Sequence, residues 1–479
     1  MAEAAAKGRG LGDSRSGENR WLATSVVHFS GLSYLACMTR HWMTKDMVND
    51  DPRTRERLRL GILIGVHIVV CCVSLVYLLS CRLPGIPDLA KLHILYDPSR
   101  LYIAILVAVA FVPFAYLFAI ARFSVGYFVG FYFYTMVLGY LWIACFSGSN
   151  YNHLLAQFSA AASAIAFLLP ALFIVSPVRQ TYELSPMAFE RLLAFIFLLG
   201  VVTVVISSTY SFQFVGIEEI YKFRGKVESP RLLQYLIGIT SSTLLPFAFA
   251  GFAARKAYWR AGAIVILLVF YYPITFSKLA LFTPCWLIAM LMLSKMAEAR
   301  AVVILSLLAP VLAGVLLFSV FGEHTAAYFA IVNFRMVAIP SLAMEVYNDF
   351  FVNHDLTYFC QISTLKRFMD CPYQDQLSAL MNGAYPLGYF NASLFATEGI
   401  ASVGPLYAPV AVFMCGLVIA VGNRLSAGLP PGFILLSGAI IPQILLNVPL
   451  TTALVTHGVG LLFLLWYVTP RAIFEPGTR

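Results

Sequence analysis

A chain of 479 residues that is 60% hydrophobic and only 11% charged, with mean hydropathy +0.82, lies far from soluble domains, in which about a quarter of residues are charged. Its net charge of +9 is not gathered into a basic stripe interleaved with aromatics, which excludes a nucleic-acid partner and leaves the lipid bilayer as the expected one. Apolar segments of about 20 residues, the length that crosses a ~30 Å hydrocarbon core as a helix, recur throughout. The fold class this predicts is an all-α polytopic membrane protein.

Met1 to Arg20 is polar and charged, with no cleavable signal peptide visible. Residues 1–57 are expected to form a cytoplasmic arm, in which the less apolar stretch Trp21 to Met38 reads as an interfacial or packed helix. Hydropathy windows then predict about twelve spans. Nine fall within 58–320, near 58–80, 101–121, 124–146, 155–176, 191–209, 233–253, 259–275, 278–294 and 301–320. A long connection covers 321–403, three spans near 404–423, 432–448 and 451–469 fill 404–470, and 471–479 is a tail.

Charge sets the expected orientation. The arm ends in Arg53, Arg55, Arg57 and Arg59, and Arg122, Arg255, Lys256, Lys295, Arg300 and Arg424 follow at alternate connections. That alternation obeys the positive-inside rule with both termini cytoplasmic, and makes 321–403 an extracytoplasmic loop. If so, Cys360 and Cys371 within it can pair as a disulfide. No CxxC pair, zinc-ligand spacing, P-loop, GxSxG or HExxH motif is present, so no metal or cofactor is called for.

Basic residues that topology does not require then stand out on the outer side, among them Arg224, Lys278, Arg335, Lys366 and Arg367. As a set they suit phosphate or pyrophosphate groups. Singly, each has a plainer reading: Arg224 pairing with Glu218 or Glu219, Lys366 with Asp370 on a helix face, Lys278 snorkelling at the membrane boundary. Arg335 lies in the apolar stretch Asn333 to Pro340, which predicts a guanidinium held against the bundle and either paired with Glu345 or Asp349 or clamped on pyrophosphate. Glu345 and Asp349 share a helix face, and His354 follows as a candidate general base. Glu398 is another candidate base, or simply an acid favoured at a helix start. Tyr347, Tyr385 and Tyr389 are candidates to stack on sugar rings, whereas the aromatic run Tyr127–Tyr134 reads as packing or lipid-facing surface.

Three pieces of the chain, in order, resemble the bacterial oligosaccharide repeat-unit polymerases, the O-antigen polymerase (Wzy-type) family. They are Ser277-Lys278 opening a span that contains Pro284; Arg335 and Pro340 followed by Tyr347 through Phe351; and Asn391-Ala392 followed by Glu398-Gly399 and Gly404. Ser393 departs from that family's fuller Asn-Ala-Asn turn. The resemblance implies a GT-C-like bundle in the bacterial inner membrane and a polymerase that joins oligosaccharides carried on undecaprenyl pyrophosphate, with no metal or cofactor and with a chain-length regulator and flippase as partners. It implies Arg335 and Lys278 on the pyrophosphate, with Arg224, Lys366 and Arg367 behind them. Glu398 or His354 would act as base, and Tyr347 and Asn391 would contact the glycan. Two other functions fit the same composition. One is an O-antigen ligase; the other is a multi-pass transporter or flippase, which would place ionisable groups near the bilayer midplane.

Overall fold

Backbone N–H and C=O groups inside a bilayer have no water to bond, so apolar runs close their hydrogen bonds within the segment and become helices. A computed structural model describes residues 52–81, 83, 86–216, 229–362, 365–385 and 397–474. Trp21 to Met38, Arg224, Tyr389 and Asn391 lie outside the described residues. The chain divides into a unit Met1–Leu58, described only at 52–58, and a unit Arg59–Arg479 that holds the architecture below.

The chain is an all-α polytopic membrane protein, with ten helices among the described residues long and apolar enough to cross a membrane. They are α1 (Pro52–Ser80), α2 (Pro98–Ile120), α3 (Val125–Ala144), α4 (His153–Phe173), α5 (Pro186–Ser208), α6 (Arg231–Ala254), α7 (Tyr258–Thr275), α8 (Lys278–Met296), α9 (Ala299–Phe351) and, after the short α10 (Leu377–Ala384), α11 (Thr397–Ser426). The side chains of Ser124, Asn152 and Ser185 accept backbone N–H bonds in the first turns of α3, α4 and α5, which fixes those starts.

The first nine predicted spans coincide closely with helices; the last two do not. Residues 432–469 form four short pieces, α12 (Pro431–Ser437), α13 (Ile441–Leu445), α14 (Leu450–Val455) and α15 (Val459–Val468). Pro442 and Pro449 remove helix donors, and Gly458 sits at φ +75° between α14 and α15. Hydropathy registers none of these breaks.

α3 is buried along its whole length, all 20 residues. The aromatic run is therefore packing: Phe118 meets Tyr127 and Phe131 edge-on, and Phe111 stacks on Tyr134 at 4.8 Å. α1 and the first limb of α9, Ala299–Phe321, run parallel to α3. Arg300 donates to the Ala121 carbonyl, Tyr132 bonds Ser306, His67 bonds Thr135, and Tyr77 bonds Ser319. The C-terminal ends of all three thus emerge on one face, where Leu95 and Gly148 also join residues 93–95 to 146–148. Buried His67, packed on Thr135 and Phe131, is a core histidine.

The stretch after Phe321 is not a simple loop. The chain turns at Gly322 and runs back into the bundle, where Tyr328 donates to the Pro310 carbonyl and Asn333 to that of Val311. It continues as the helix Ile339–Phe351, which returns to the end of α3. Residues 322–351 therefore begin and end on one face, a re-entrant limb. Its apolar sequence made this limb buriable, and bonding inside the protein satisfies its backbone.

Asn423 fastens the other face. Its Oδ1 accepts the Gly126 N–H at 2.7 Å, and its Nδ2 donates to the Ala171 carbonyl at 2.7 Å, joining α3, α4 and α11. Asn423→Leu orphans a buried donor and a buried acceptor and is expected to destabilise by about 3 kcal/mol. A clear fall in the detergent melting temperature, with a smaller fall for Asn423→Asp, checks this; an unchanged melt contradicts it.

Candidate functional site

The helix Ile339–Phe351 carries an unusual stripe. Ser341, Glu345 and Asn348, spaced i, i+4, i+7, share one face, and all three are buried against α3. Ser341 donates to the carbonyls of Met136 and Val337, and α3 can come this close because position 139 is glycine. A Cβ on Gly139 would lie 2.2 Å from the Ser341 hydroxyl oxygen.

Glu345, 1% exposed, has both carboxyl oxygens engaged. Ser147 donates to Oε1 at 2.5 Å and Tyr151 to Oε2 at 2.5 Å, lengths typical of charge-assisted bonds. Tyr151 also bonds Tyr140 at 3.2 Å, and Asn348 donates to the Tyr140 hydroxyl at 3.3 Å. Burial, then the neighbouring Tyr140 and the Glu345 carboxylate, push the Tyr151 hydroxyl far up, so it holds its proton and remains a donor. One turn beyond Glu345, Asp349 accepts a 2.7 Å bond from Tyr385. The Tyr385 hydroxyl is likewise pushed far up, by burial first and then by Asp349 and Glu345. The shared helix face expected for Glu345 and Asp349 is present, and hydroxyls occupy both carboxyls.

The segment 352–385 folds over this end of the bundle. Thr357 and Tyr358 donate backbone bonds to Ala401 and Ser402 of α11, and Tyr373 donates to the Asp355 carbonyl. Cys360 and Cys371 form a disulfide, with Cys360 buried. Lys366 and Arg367 stand exposed in a three-residue 3-10 turn within the disulfide loop. The helix face expected to align Lys366 with Asp370 does not form there.

α11 is kinked at Gly404, φ +75°, a left-handed conformation that suits glycine. A Cβ on Gly399 would lie 3.2 Å from that of Ala408, so 397–403 doubles back along the start of the main helix. Glu398 is thereby carried inward and half-buried, and its carboxylate takes the backbone N–H of Leu450, the first residue of α14. Tyr347, fully buried on the opposite face of its helix from Glu345, lies within reach of the Glu398 charge.

Other predicted residues fall elsewhere. Arg335 is exposed and has no ion-pair partner among the described residues, contrary to the expected packing against the bundle and pairing with Glu345 or Asp349. The reason is local: Asn333, two residues earlier, faces inward, donating to Ser74 and Val311, which turns Arg335 to the other side of a π-helical stretch, Ala330–Ala338. His354 is exposed, with its ring stacked 3.7 Å from Phe350 and Nδ1 on the Phe350 carbonyl, so it closes off its own helix. Half-buried Lys278 opens α8 beside a cavity of about 400 Å³ lined by Gln234, Ser241, Thr275, Ser277 and His457, with no carboxylate in its walls.

The structure thus places Tyr347 within reach of the Glu398 charge, while His354 stacks on Phe350 and Lys366 and Arg367 stand exposed in the disulfide loop. Ser147, Tyr151, Tyr140 and the Ser341/Glu345/Asn348 stripe were not anticipated as a network; the i, i+4, i+7 spacing was the available signal. Among the described residues no three His, Cys, Asp or Glu side chains group as a metal site. Fold and site together define a polytopic membrane protein with carboxylates buried at one end of its bundle. No family model, curated protein or solved structure matches the chain.

Two outcomes follow for the site. Tyr151→Phe and Glu345→Gln are expected to be strongly non-additive in thermal stability, with a coupling of about 1–3 kcal/mol; additive losses would show the bond to be idle. Removing the disulfide with Cys360→Ala/Cys371→Ala should expose 352–385 to limited proteolysis while the spans stay folded, a local loss of about 2–3 kcal/mol.

Proposed function

We propose that the chain is a membrane glycosyltransferase of surface-polysaccharide biosynthesis, a polymerase that moves a glycan from one undecaprenyl pyrophosphate carrier onto another lipid-linked repeat unit. In this reading it resides in the bacterial inner membrane with both termini cytoplasmic, and the carboxylate face is extracytoplasmic, where a disulfide such as Cys360–Cys371 persists. A flippase supplies its substrate and a chain-length regulator works beside it.

The observation that carries the reading is Arg335. It is an exposed guanidinium on an apolar re-entrant limb, and the carboxylates expected to pair with it, Glu345 and Asp349, are already occupied by Ser147, Tyr151 and Tyr385. A guanidinium in such a position is suited to a phosphate that arrives with a lipid. Glu398 is the base: unlike Glu345 it is partly reached by solvent, and it sits in the same bundle end. The acceptor hydroxyl attacks the anomeric carbon of the donor and passes its proton to Glu398. The bond from that carbon to the pyrophosphate oxygen breaks, the electron pair leaves with the pyrophosphate, and Arg335 neutralises it, with Lys278, Lys366 and Arg367 contributing to the field at the mouth.

The test is glycan length in a deletion host supplied with wild type, Arg335→Ala, Lys278→Ala or Glu398→Gln at equal protein abundance. Arg335→Ala and Glu398→Gln are each expected to lower polymer by roughly 100-fold or more, leaving single repeat units attached to their acceptor. Normal polymer from both variants overturns the assignment. Long lipid-linked glycan left unattached in the deletion strain would mark a ligase instead.

The hydroxyl-lined cavity beside the broken helices α14 and α15 favours a second reading, a transporter of lipid-linked glycan. Movement of such a glycan across proteoliposomes without chain extension would select it.

A further inference from the structure

α4 ends beside the start of α3, and the chain then starts α5, so Pro186 lies on the face opposite the carboxylates. On that face a cavity of about 1160 Å³ opens where α5, α6, α7, α8 and α12 meet. Among the described residues Arg255, Lys256, Arg260 and Lys295 line it, with Glu190 as the one acid, a surplus of three positive charges from four cations and one carboxylate.

Glu190 is shared. Arg255 pairs with one of its oxygens and Arg260 with the other, the latter at 3.3 Å. The two lysines are held by other means. Lys256 has φ +59°, a left-handed conformation uncommon outside glycine, at the turn between α6 and α7. Lys295 lies 4.4 Å from the centre of the Tyr258 ring, a cation–π contact that tethers the ammonium at the rim.

The same rim gives the depth. Tyr258 and Trp259, 47% and 76% exposed, occupy the first turn of α7. Exposed Tyr and Trp at the end of a membrane-spanning helix stand at headgroup level, with the ring body toward lipid and the polar edge toward water. A cationic cavity between helix ends at that level, roomy enough for a headgroup, matches the chemistry of an anionic phosphodiester.

We propose that this cavity binds the headgroup of an anionic phospholipid from the leaflet on its own face, with Lys256 and Lys295 on the phosphate and an acyl chain descending past Trp259. Arg255 and Arg260, tied to Glu190, form the floor that keeps the local potential positive. The site is separate from the carboxylate face and does not depend on what that face does. Its occupant ties α6, α7 and α8 together where their cations would otherwise repel.

The test melts the full chain in mild detergent with added phosphatidylglycerol, phosphatidylcholine or inorganic phosphate. Phosphatidylglycerol is expected to raise the melting temperature, phosphatidylcholine to leave it unchanged, and the phosphatidylglycerol effect to shrink as salt is raised. Lys256→Gln/Lys295→Gln should weaken phosphatidylglycerol binding by about tenfold or more. Equal shifts with both lipids, or undiminished phosphatidylglycerol affinity in the double variant, overturns the proposal. A full shift from inorganic phosphate alone also overturns it, marking a soluble-anion site. If the double variant fails to fold, the comparison of the two lipids and the salt series on the wild-type chain decide the matter.

Discussion

Everything in this bundle is arranged around a helix that lipid does not touch. All 20 residues of α3 are buried, yet its sequence holds four tyrosines, of which Tyr132 and Tyr140 have bonded hydroxyls while those of Tyr127 and Tyr134 meet no partner among the described residues. A buried hydroxyl is costly unless it is bonded, and the neighbours of α3 are placed partly by that demand. Tyr132 fixes the first limb of α9 through Ser306, and Tyr140 fixes the second limb through Asn348 and the turn between α3 and α4 through Tyr151. The carboxylate of Glu345 is tolerated in the interior because this hydroxyl chain was already needed.

Spans that obey hydropathy were legible because length and apolarity alone decide them. The first eight helices and the first limb of α9 could be drawn from the sequence to within a few residues. Where the backbone is interrupted without becoming polar, as at Pro442, Pro449 and Gly458, composition averages over the break and a continuous span is read in error. The re-entrant limb failed for the converse reason. Glu345, Asn348 and Asp349 lower the hydropathy of a helix that is nevertheless buried, so it reads as a loop.

At the site, spacing within a helix was readable and long-range pairing was not. The shared face of Glu345 and Asp349 follows from i, i+4 geometry. The partners of Glu345, Ser147 and Tyr151, lie almost 200 residues earlier, and no local pattern connects them. Arg335 shows the limit within a single turn of helix. An arginine flanked by apolar residues invites a buried pair, but inward-facing Asn333 sets the rotation of the helix and turns the guanidinium out.

The kink at Gly404 and the turn at Gly322 have a joint consequence for the end of the bundle that holds the carboxylates. The turn at Gly322 sends chain part-way into the bundle and brings it out again on the side it came from, whereas the kink at Gly404 lays 397–403 along the start of a helix that runs on to the other face. Glu398 and Tyr347 thus sit on chain folded back at a glycine of positive φ, so a Cβ at position 322 or 404 strains the end of the bundle that holds them.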